Sequence, residues 1–399
     1  MFSCLQFLFF SYKIKRNTKG ITMKNSNHLI IREANQRRVL KDFIRLPYRL
    51  YKDNPYWTAP LLAEEKRTFN PKHNAFLRKN PVVFYVCYKN NRPVGRIAGI
   101  INKNHNDFHK DRTGFFGFFE SIDDEAAAGL LFRAAVEWLK KQGVDALRGP
   151  TNFSINDISG LLLDGFEEPP FILMPYNAPY YERLYRRNGF DIAMRFFAYD
   201  VARDTIRFPG FVHRLEKRLE ERDIKIRHLR VNELEKEFRI LLGIFNESWN
   251  ENWGFVPFPI DEAVVEFTRI KPFVKEDLIL IAEHEGKAVG FALALPDINQ
   301  VLRPLKGRLL PFNWLKLLLN LRKINRIRVV LMGVLKEHRS KGIDLMFYKK
   351  IVDNSLRHGY HRAELSWILE SNLMMNRVLG HINARRSKVY AIFEKKLPD

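Results

Sequence analysis

The sequence predicts an α/β chain in which one unit is used twice, and three observations carry that reading. The chain has 399 residues, more than a single hydrophobic core ordinarily serves. Apolar runs with strand spacing alternate with segments whose apolar residues recur every third or fourth position, the helix period. Two hairpins, one carrying Val94-Gly95-Arg96 and the other Val289-Gly290-Phe291, fall at the same step in the same order of elements, offset by close to half the chain.

The first unit opens with the strand Leu29-Ile30-Ile31 and continues with helical spacing from Arg38 to Tyr51, set by Val39, Phe43, Leu46 and Leu50. Asn54-Pro55-Tyr56-Trp57 breaks that segment, because proline lacks the amide proton a helix needs. Val82 to Tyr88 and Val94 to Ile100 flank the polar turn Lys89-Asn90-Asn91-Arg92, which makes a hairpin. Phe115 to Phe119 is a further aromatic strand. Ala126 to Gln142 is a helix with Leu131, Ala134, Ala135, Trp138 and Leu139 turned inward, and Gly143 stops it.

The second unit repeats the order. Ile224-Lys225-Ile226 is its first strand, Leu234 to Trp249 its helix, and Leu278 to Ala282 with Val289 to Leu293 its hairpin. Arg328 to Val334 follows as a buried strand, then a basic loop, then a helix on Ile343, Phe347 and Ile351 ending near Gly359, and the strand Ala363 to Ile368. The expected division is a module at 23–203, a linker at 204–222 after the strand Phe196 to Val201, and a module at 223–399. Residues 1–22 read as a tail or an upstream mis-start. Phe7-Leu8-Phe9-Phe10 precedes Lys13, Lys15 and Arg16, the reverse of the order in a secretory signal.

Composition narrows the classes of function. An apolar content of 46% excludes a disordered chain. Cys4 and Cys87 are too few for a disulfide framework or a zinc site, which points to a reducing, cytoplasmic setting and to chemistry without metal. No apolar run reaches the length of a bilayer span. Lys and Arg outnumber Asp and Glu by 67 to 45, which predicts a polyanionic partner: a nucleotide-bearing cofactor, an anionic membrane surface or RNA.

The stretch with the clearest chemistry is Val334 to Leu345. Free amides at a helix N-terminus, the macrodipole and a close-approaching glycine together hold phosphate, and Arg339 and Lys341 supply mobile charge beside them. The same place in the first unit reads Glu120-Ser121-Ile122-Asp123-Asp124-Glu125, which repels a pyrophosphate. Only the second unit is therefore expected to bind a nucleotide there. Asn152, Asn156, Asp157, Asn246 and Asn250 lie with Trp249 and Trp253 in loop-like sequence, where such residues either line a substrate pocket or shape turns.

Ile298 to Lys336 holds nine Lys or Arg and no Asp or Glu, interleaved with leucines, Phe312 and Trp314. A basic apolar stretch of this kind is expected either to contact lipid, at an anionic membrane or over a greasy acyl chain, or to cover the sheet with its charges in water. The apolar run Trp314 to Leu321 favours lipid.

These residues resemble a known superfamily. Arg339-Ser340-Lys341-Gly342-Ile343-Asp344 after a strand is similar to the R-x-x-G-x-G/A pyrophosphate loop of the GNAT N-acyltransferases, with Asp344 departing where that family has Gly or Ala. GNAT modules often end in an asparagine followed by Y-x-x-x-G-F, and Asn177 with Tyr185-Arg186-Arg187-Asn188-Gly189-Phe190 matches in the first unit only. Longer matches include Arg92-Pro93-Val94-Gly95-Arg96-Ile97, Gly149-Pro150-Thr151-Asn152-Phe153-Ser154 and Asn252-Trp253-Gly254-Phe255-Val256-Pro257. They resemble a bacterial tandem-GNAT family typified by YghO, with more distant similarity to bacterial ceramide synthases and Fem-type ligases.

The resemblance implies two GNAT-like modules, each a mixed, mostly antiparallel twisted sheet flanked by helices. It implies an acyl-CoA or acetyl-CoA donor held by Val334, Lys336, Arg339, Lys341, Gly342 and Asp344, and acyl transfer to an amine, with a long-chain lipid amine at the membrane surface as one acceptor. The transfer needs an unprotonated amine and an oxyanion donor, for which a backbone amide near Val334 to Lys336 is the candidate. Glu120, Glu247, Glu364 and His338 are the candidate bases, which spacing does not rank, and Tyr185 is the candidate proton donor to the leaving thiolate. Asn152, Asn156, Asn246, Trp249 and Trp253 are the candidate acceptor-side residues. Fem-like transfer from aminoacyl-tRNA and a degenerate module that only binds lipid or RNA are the alternatives.

Overall fold

The structure is a computed structural model that describes residues 23–24, 29–260, 263–264, 267, 271 and 274–397. The expected tail at 1–22 lies outside the described residues.

In the first half the strands are β1 (Met23–Lys24), β2 (Leu29–Glu33), β3 (Val82–Lys89), β4 (Arg92–Ile100), β5 (Thr113–Ser121), β6 (Ala146–Gly149), β7 (Leu161–Asp164) and β8 (Asp191–Ala202). The second half supplies β9 (Ile224–His228), β10 (Ile279–His284), β11 (Lys287–Pro296), β12 (Arg326–Val334), β13 (Arg362–Leu369) and β14 (Arg385–Lys396). All join one sheet in the order β1-β2-β3-β4-β5-β6-β14-β8-β13-β12-β11-β10-β9, with β7 against β14. Only β5–β6 and β12–β13 are parallel, so the sheet is mixed and mostly antiparallel. Both hairpins turn on two residues with positive φ, Asn90-Asn91 and Glu285-Gly286, the geometry that matches strand twist in a two-residue loop.

The halves exchange their last strands. β8 pairs with β13, and β14 inserts between β6 and β8, with Phe393 opposite Gly149 and Glu364 opposite Asp200. The division at 203 and 223 thus follows chain order, while packing couples each half to the other's final strand. The expected linker at 204–222 carries helix α7 (Val212–Glu220), which buries Val212, Leu215 and Leu219. Their i, i+3, i+7 spacing makes this segment a packed element and corrects the reading of it as a bare connection.

Helix α1 (Arg37–Leu50) and helix α5 (Glu125–Lys140) cover the first half, and α5 buries Leu131, Ala134, Ala135 and Leu139 in the core with Ile97, Phe116 and Tyr185. In the second half, helix α8 (Leu234–Ser248) covers one face of the sheet and the long helix Ile343–Arg357 the other. Each fully buried leucine in these cores contributes about 1.5–3 kcal/mol. Short helices α2 (Leu62–Thr68), α3 (Ala75–Lys79), α4 (Lys103–His109) and α6 (Tyr181–Arg187) complete the first half. The second half also carries helices α9 (Asn299–Leu302), α10 (Asn313–Asn320), α11 (the long Ile343–Arg357) and α12 (Leu373–His381).

His105 on α4 gives the fold a marked acid response. It is buried beside His109 and Phe115, and burial, then the charge of His109, pulls its pKa from 6.5 down to about 4. The folded protein keeps it neutral where the unfolded chain protonates it. Its stability contribution is whole above pH 6.5 and is lost as pH falls toward 4, by up to about 1.4 kcal/mol per pH unit. His105→Gln should flatten that part of the stability curve in denaturant titrations; an unchanged acid limb would contradict the assignment.

Candidate active site

Each half contains a parallel strand pair that parts company, leaving a wedge. β5 and β6 pair only at Thr113–Phe115 with Ala146–Arg148, and β12 and β13 only at Arg326–Val329 with Arg362–Leu365. Past those points both leading strands continue alone along that edge.

The first wedge is closed by the chain itself. Thr151 donates its amide to the Phe116 carbonyl at 2.9 Å, and the Asn152 Oδ1 accepts from the Phe118 amide at 2.8 Å. A side chain at Gly117 would meet the Thr151 carbonyl oxygen at 1.9 Å, so glycine is required for this closure. The helix end behind it is filled as well. Asp124 caps α5 by accepting from the amides of Ala126 and Ala127 at 3.0 and 3.1 Å, and Lys89 stands 2.8 Å from its other oxygen. Those bonds hold the Asp124 carboxyl below its usual range against the opposing effect of burial. An anion arriving there would meet a carboxylate.

The second half differs at its helix end, although side chains of Trp249 and Arg339 do take the Met332 and Val334 carbonyls of its leading strand. Among the described residues, the amides of Ser340, Lys341, Gly342, Ile343, Asp344 and Leu345 find no acceptor, and the first intrahelical bond into this turn is Met346 to the Gly342 carbonyl at 3.0 Å. Asp344, the departure from the family loop, accepts no hydrogen bond among the described residues, so it does not fill the turn there as Asp124 does in the first half. Gly342 has φ +90°, and a Cβ there would meet Leu215 of α7 at 2.8 Å, so conformation and packing both demand glycine. The result is a run of uncapped amides at the positive end of an α-helix.

The side chains of the loop divide by role. Lys341 is half-buried and has no acidic partner among the described residues. Arg339 is engaged: its Nε donates to the Val334 carbonyl at 3.1 Å and its Nη2 to the Ser248 carbonyl at 2.7 Å, which ties the loop to the C-terminus of α8. Lys336 pairs with Glu251 at 3.0 Å at the surface. Val334 lies opposite Gly290 in the sheet. His338 is buried next to His284, and burial with the Lys341 charge lowers its pKa.

Where the second wedge opens, a charged group is buried. Glu364 and Lys388 are each 1% exposed and stand 3.3 Å apart. Ser366, one residue past the last β12–β13 pair, donates to Glu364 at 2.8 Å and accepts from the Arg328 Nε at 2.9 Å. Arg328 also donates to the carbonyls of Ile172 and Ser366, and burial lowers its pKa against the opposing charge of Glu364. Beside them the Tyr390 hydroxyl and the Trp367 Nε1 are buried with no hydrogen-bond partner among the described residues. Sequence reasoning found Glu364 but missed Arg328, Ser366, Trp367, Lys388 and Tyr390. Lys388, at the head of the apolar run Val389 to Phe393 and on the same strand parity as Tyr390 and Ile392, was the available signal.

The remaining expected residues are scattered. Tyr185 is sealed in the first core against Phe116, Phe119, Phe132 and Phe393, so its expected place beside the leaving thiolate is corrected to a packing role. The Y-x-x-x-G-F match is realised as a helix end at Gly189 that buries both aromatics in the half whose wedge is closed. Glu120 belongs to that half too: Tyr51 and Tyr181 each donate to it at 2.7 Å, Arg96 lies at 3.8 Å, and burial raises its pKa. Glu247 is exposed on α8. The structure does not bring Glu120, Glu247 and Glu364 together.

On the expected acceptor side, the Asn246 amide is spent on both backbone groups of Phe258, at 2.8 and 3.0 Å. Asn156 donates to the Val256 carbonyl at 2.9 Å, and Asn152 is the wedge closure already described. In this structure these three asparagine side chains hold loop backbone. Trp249 donates to the Met332 carbonyl at 2.9 Å on the strand that lines the second wedge. Trp253 sits under the Arg148 guanidinium and against Phe196, at the seam between the halves. Among the described residues no three His, Cys, Asp or Glu side chains converge as a metal site.

No family model matches the sequence. Against curated proteins, the chain is 34% identical over 366 residues to Protein YghO of Escherichia coli (strain K12), covering 90% of this chain and 93% of that protein. The chain belongs to the YghO family. It is likewise 34% identical over 365 residues to a bacterial ceramide synthase of Caulobacter vibrioides, covering 90% of this chain and 95% of that one.

Among solved structures, a tandem GNAT protein from the clavulanic acid biosynthesis pathway aligns over 93% of this chain and 99% of its own, with a TM-score of 0.54 at 10% identity. A GCN5-related glucosamine N-acetyltransferase region in a fungal multi-domain enzyme aligns over 93% of this chain and 38% of its own, with a TM-score of 0.57 at 12% identity. At these identities the likeness establishes the fold: two GNAT modules in tandem.

Proposed function

We propose that the second half is an N-acyltransferase that moves an acyl group from an acyl-CoA to a primary amine, with a long-chain lipid amine as the acceptor. The observation that carries this reading is the run of uncapped amides from Ser340 to Leu345 with Lys341 beside it, in one half only. A run of six unsatisfied amides and a helix dipole suit a diphosphate. The capped and closed counterpart in the first half does not.

With the diphosphate on that turn, the thioester arm runs toward the point past Val329 where β12 leaves β13, and a strand amide there can meet the developing oxyanion. The neutral amine attacks the thioester carbonyl, the carbon–sulfur bond breaks, and the proton that the nitrogen gives up to a base passes on to the departing thiolate. Of the three expected carboxylates, Glu364 alone lies where β12 and β13 part, and we assign it the amine's proton. The similarity to a protein named as a ceramide synthase supports a lipid amine as acceptor.

The test is product formation with paired donor and acceptor panels, read by mass spectrometry. The expected result is an amide from acyl-CoA and a long-chain amino alcohol, and little from short polyamines. Transfer only from aminoacyl-tRNA, with salt-sensitive RNA on the purified protein, would replace this reading with a Fem-like one. No transfer from any donor would leave a binding module.

A further inference from the structure

We infer that α10 and its flanks form a docking platform for an anionic lipid bilayer. Leu310, Phe312, Trp314, Leu315, Leu318 and Leu319 are exposed by 77%, 74%, 48%, 46%, 52% and 68%, all within ten consecutive residues. These six are half of the exposed large apolar side chains among the described residues, so the patch is a feature of one place and not a scatter. Trp314, Leu315, Leu318 and Leu319 form one stripe of the helix, while Leu317 and Leu321 pack into the second-half core from the other side. The helix is apolar on two faces, and its own protein covers one.

Charge says what covers the other. Lys306, Arg308, Lys316, Arg322 and Lys323 are exposed around the stripe, and among the described residues none has an acidic partner. No Asp or Glu occurs from 298 to 336. A second copy of the chain would set five cations against five, whereas anionic headgroups with acyl chains beneath match both the charge and the apolar surface. At about 12 Å the eight-residue helix is too short to span and is suited to lie in the interface.

The platform is held in place. The Gly307 carbonyl accepts from the Leu62 amide at 3.0 Å, and Gly307 packs under Tyr48 and the Pro60 carbonyl, which anchors its base to the first half. The stripe therefore cannot fold back to bury itself without breaking that contact. This inference concerns the surface alone and stands whether or not the donor chemistry proposed above is correct.

The test is co-sedimentation of the full chain with phosphatidylcholine vesicles, with and without phosphatidylglycerol, at low and high salt. Partitioning should require phosphatidylglycerol and weaken with salt. Lys316→Glu/Arg322→Glu/Lys323→Glu should reduce it by about 100-fold, at roughly fivefold per basic residue. Leu318→Asp/Leu319→Asp should abolish it with melting temperature unchanged, since both side chains are exposed. Equal binding to neutral vesicles, or unaltered binding by both variants, would overturn the inference. So would a concentration-dependent dimer that Leu318→Asp/Leu319→Asp dissolves in a protein that ignores vesicles.

Discussion

Glu364→Gln is expected to lower the free energy of unfolding by about 3–5 kcal/mol, the cost of leaving buried charge uncompensated. Glu364 is the carboxylate facing both Lys388 and Arg328, and Lys388 is as buried as Glu364 itself. Neutralising the anion strands two cations on β12 and β14, at the seam where the exchanged strands meet. The double variant Glu364→Gln/Lys388→Met should recover most of the loss, because replacing both members of a buried pair removes their desolvation cost together. Denaturant titration checks both. The same pair of variants separates structure from catalysis. If Glu364 takes the amine's proton, the double variant regains stability while turnover stays at least about 100-fold down. Turnover that returns with stability would make Glu364 a structural residue.

Lys341→Glu is expected to weaken acyl-CoA binding by about 10–100-fold, since it replaces a charge-assisted contact to phosphate by repulsion. Its melting temperature should not move, because Lys341 has no partner to lose among the described residues. Arg339→Glu should behave differently. Arg339 holds the carbonyls of Val334 and Ser248, so its reversal should lower the melting temperature as well as donor affinity. Kinetics with thermal melts of the two variants distinguish a residue that waits for phosphate from one that builds the loop. Equal behaviour would remove that distinction.

Much of the fold was legible because its elements are written locally. The duplicated hairpins, α5 and α8 follow from period and turn chemistry, and they lie where those signals put them. The strand exchange was not legible. β8 and β14 carry no mark of which partner they will pair with, and the basic start of β14, Arg385-Arg386-Ser387-Lys388, disguises a strand that is buried from Tyr390 to Phe393. The helix in the expected linker was missed because its three apolar positions sit among charges.

At the site, the turn from Arg339 to Gly342 into a helix was readable because glycine, charge and helix start are consecutive in sequence. The cluster around Glu364 was not, because Arg328, Ser366 and Lys388 come from three strands and meet only in the folded sheet. Tyr185 shows the opposite failure: the motif match is complete, but burial among phenylalanines turns it into packing.

On the proposed reading, one half grips a diphosphate-bearing thioester with main-chain amides while the other half has filled its own equivalent. Isothermal titration of the full chain with a panel of acyl-CoAs tests it most directly. The account predicts a single saturable site per chain, with affinity lost in Lys341→Glu and unchanged in Asp124→Asn. Absence of heat with every acyl-CoA, two equivalent sites, or affinity indifferent to Lys341 would contradict it.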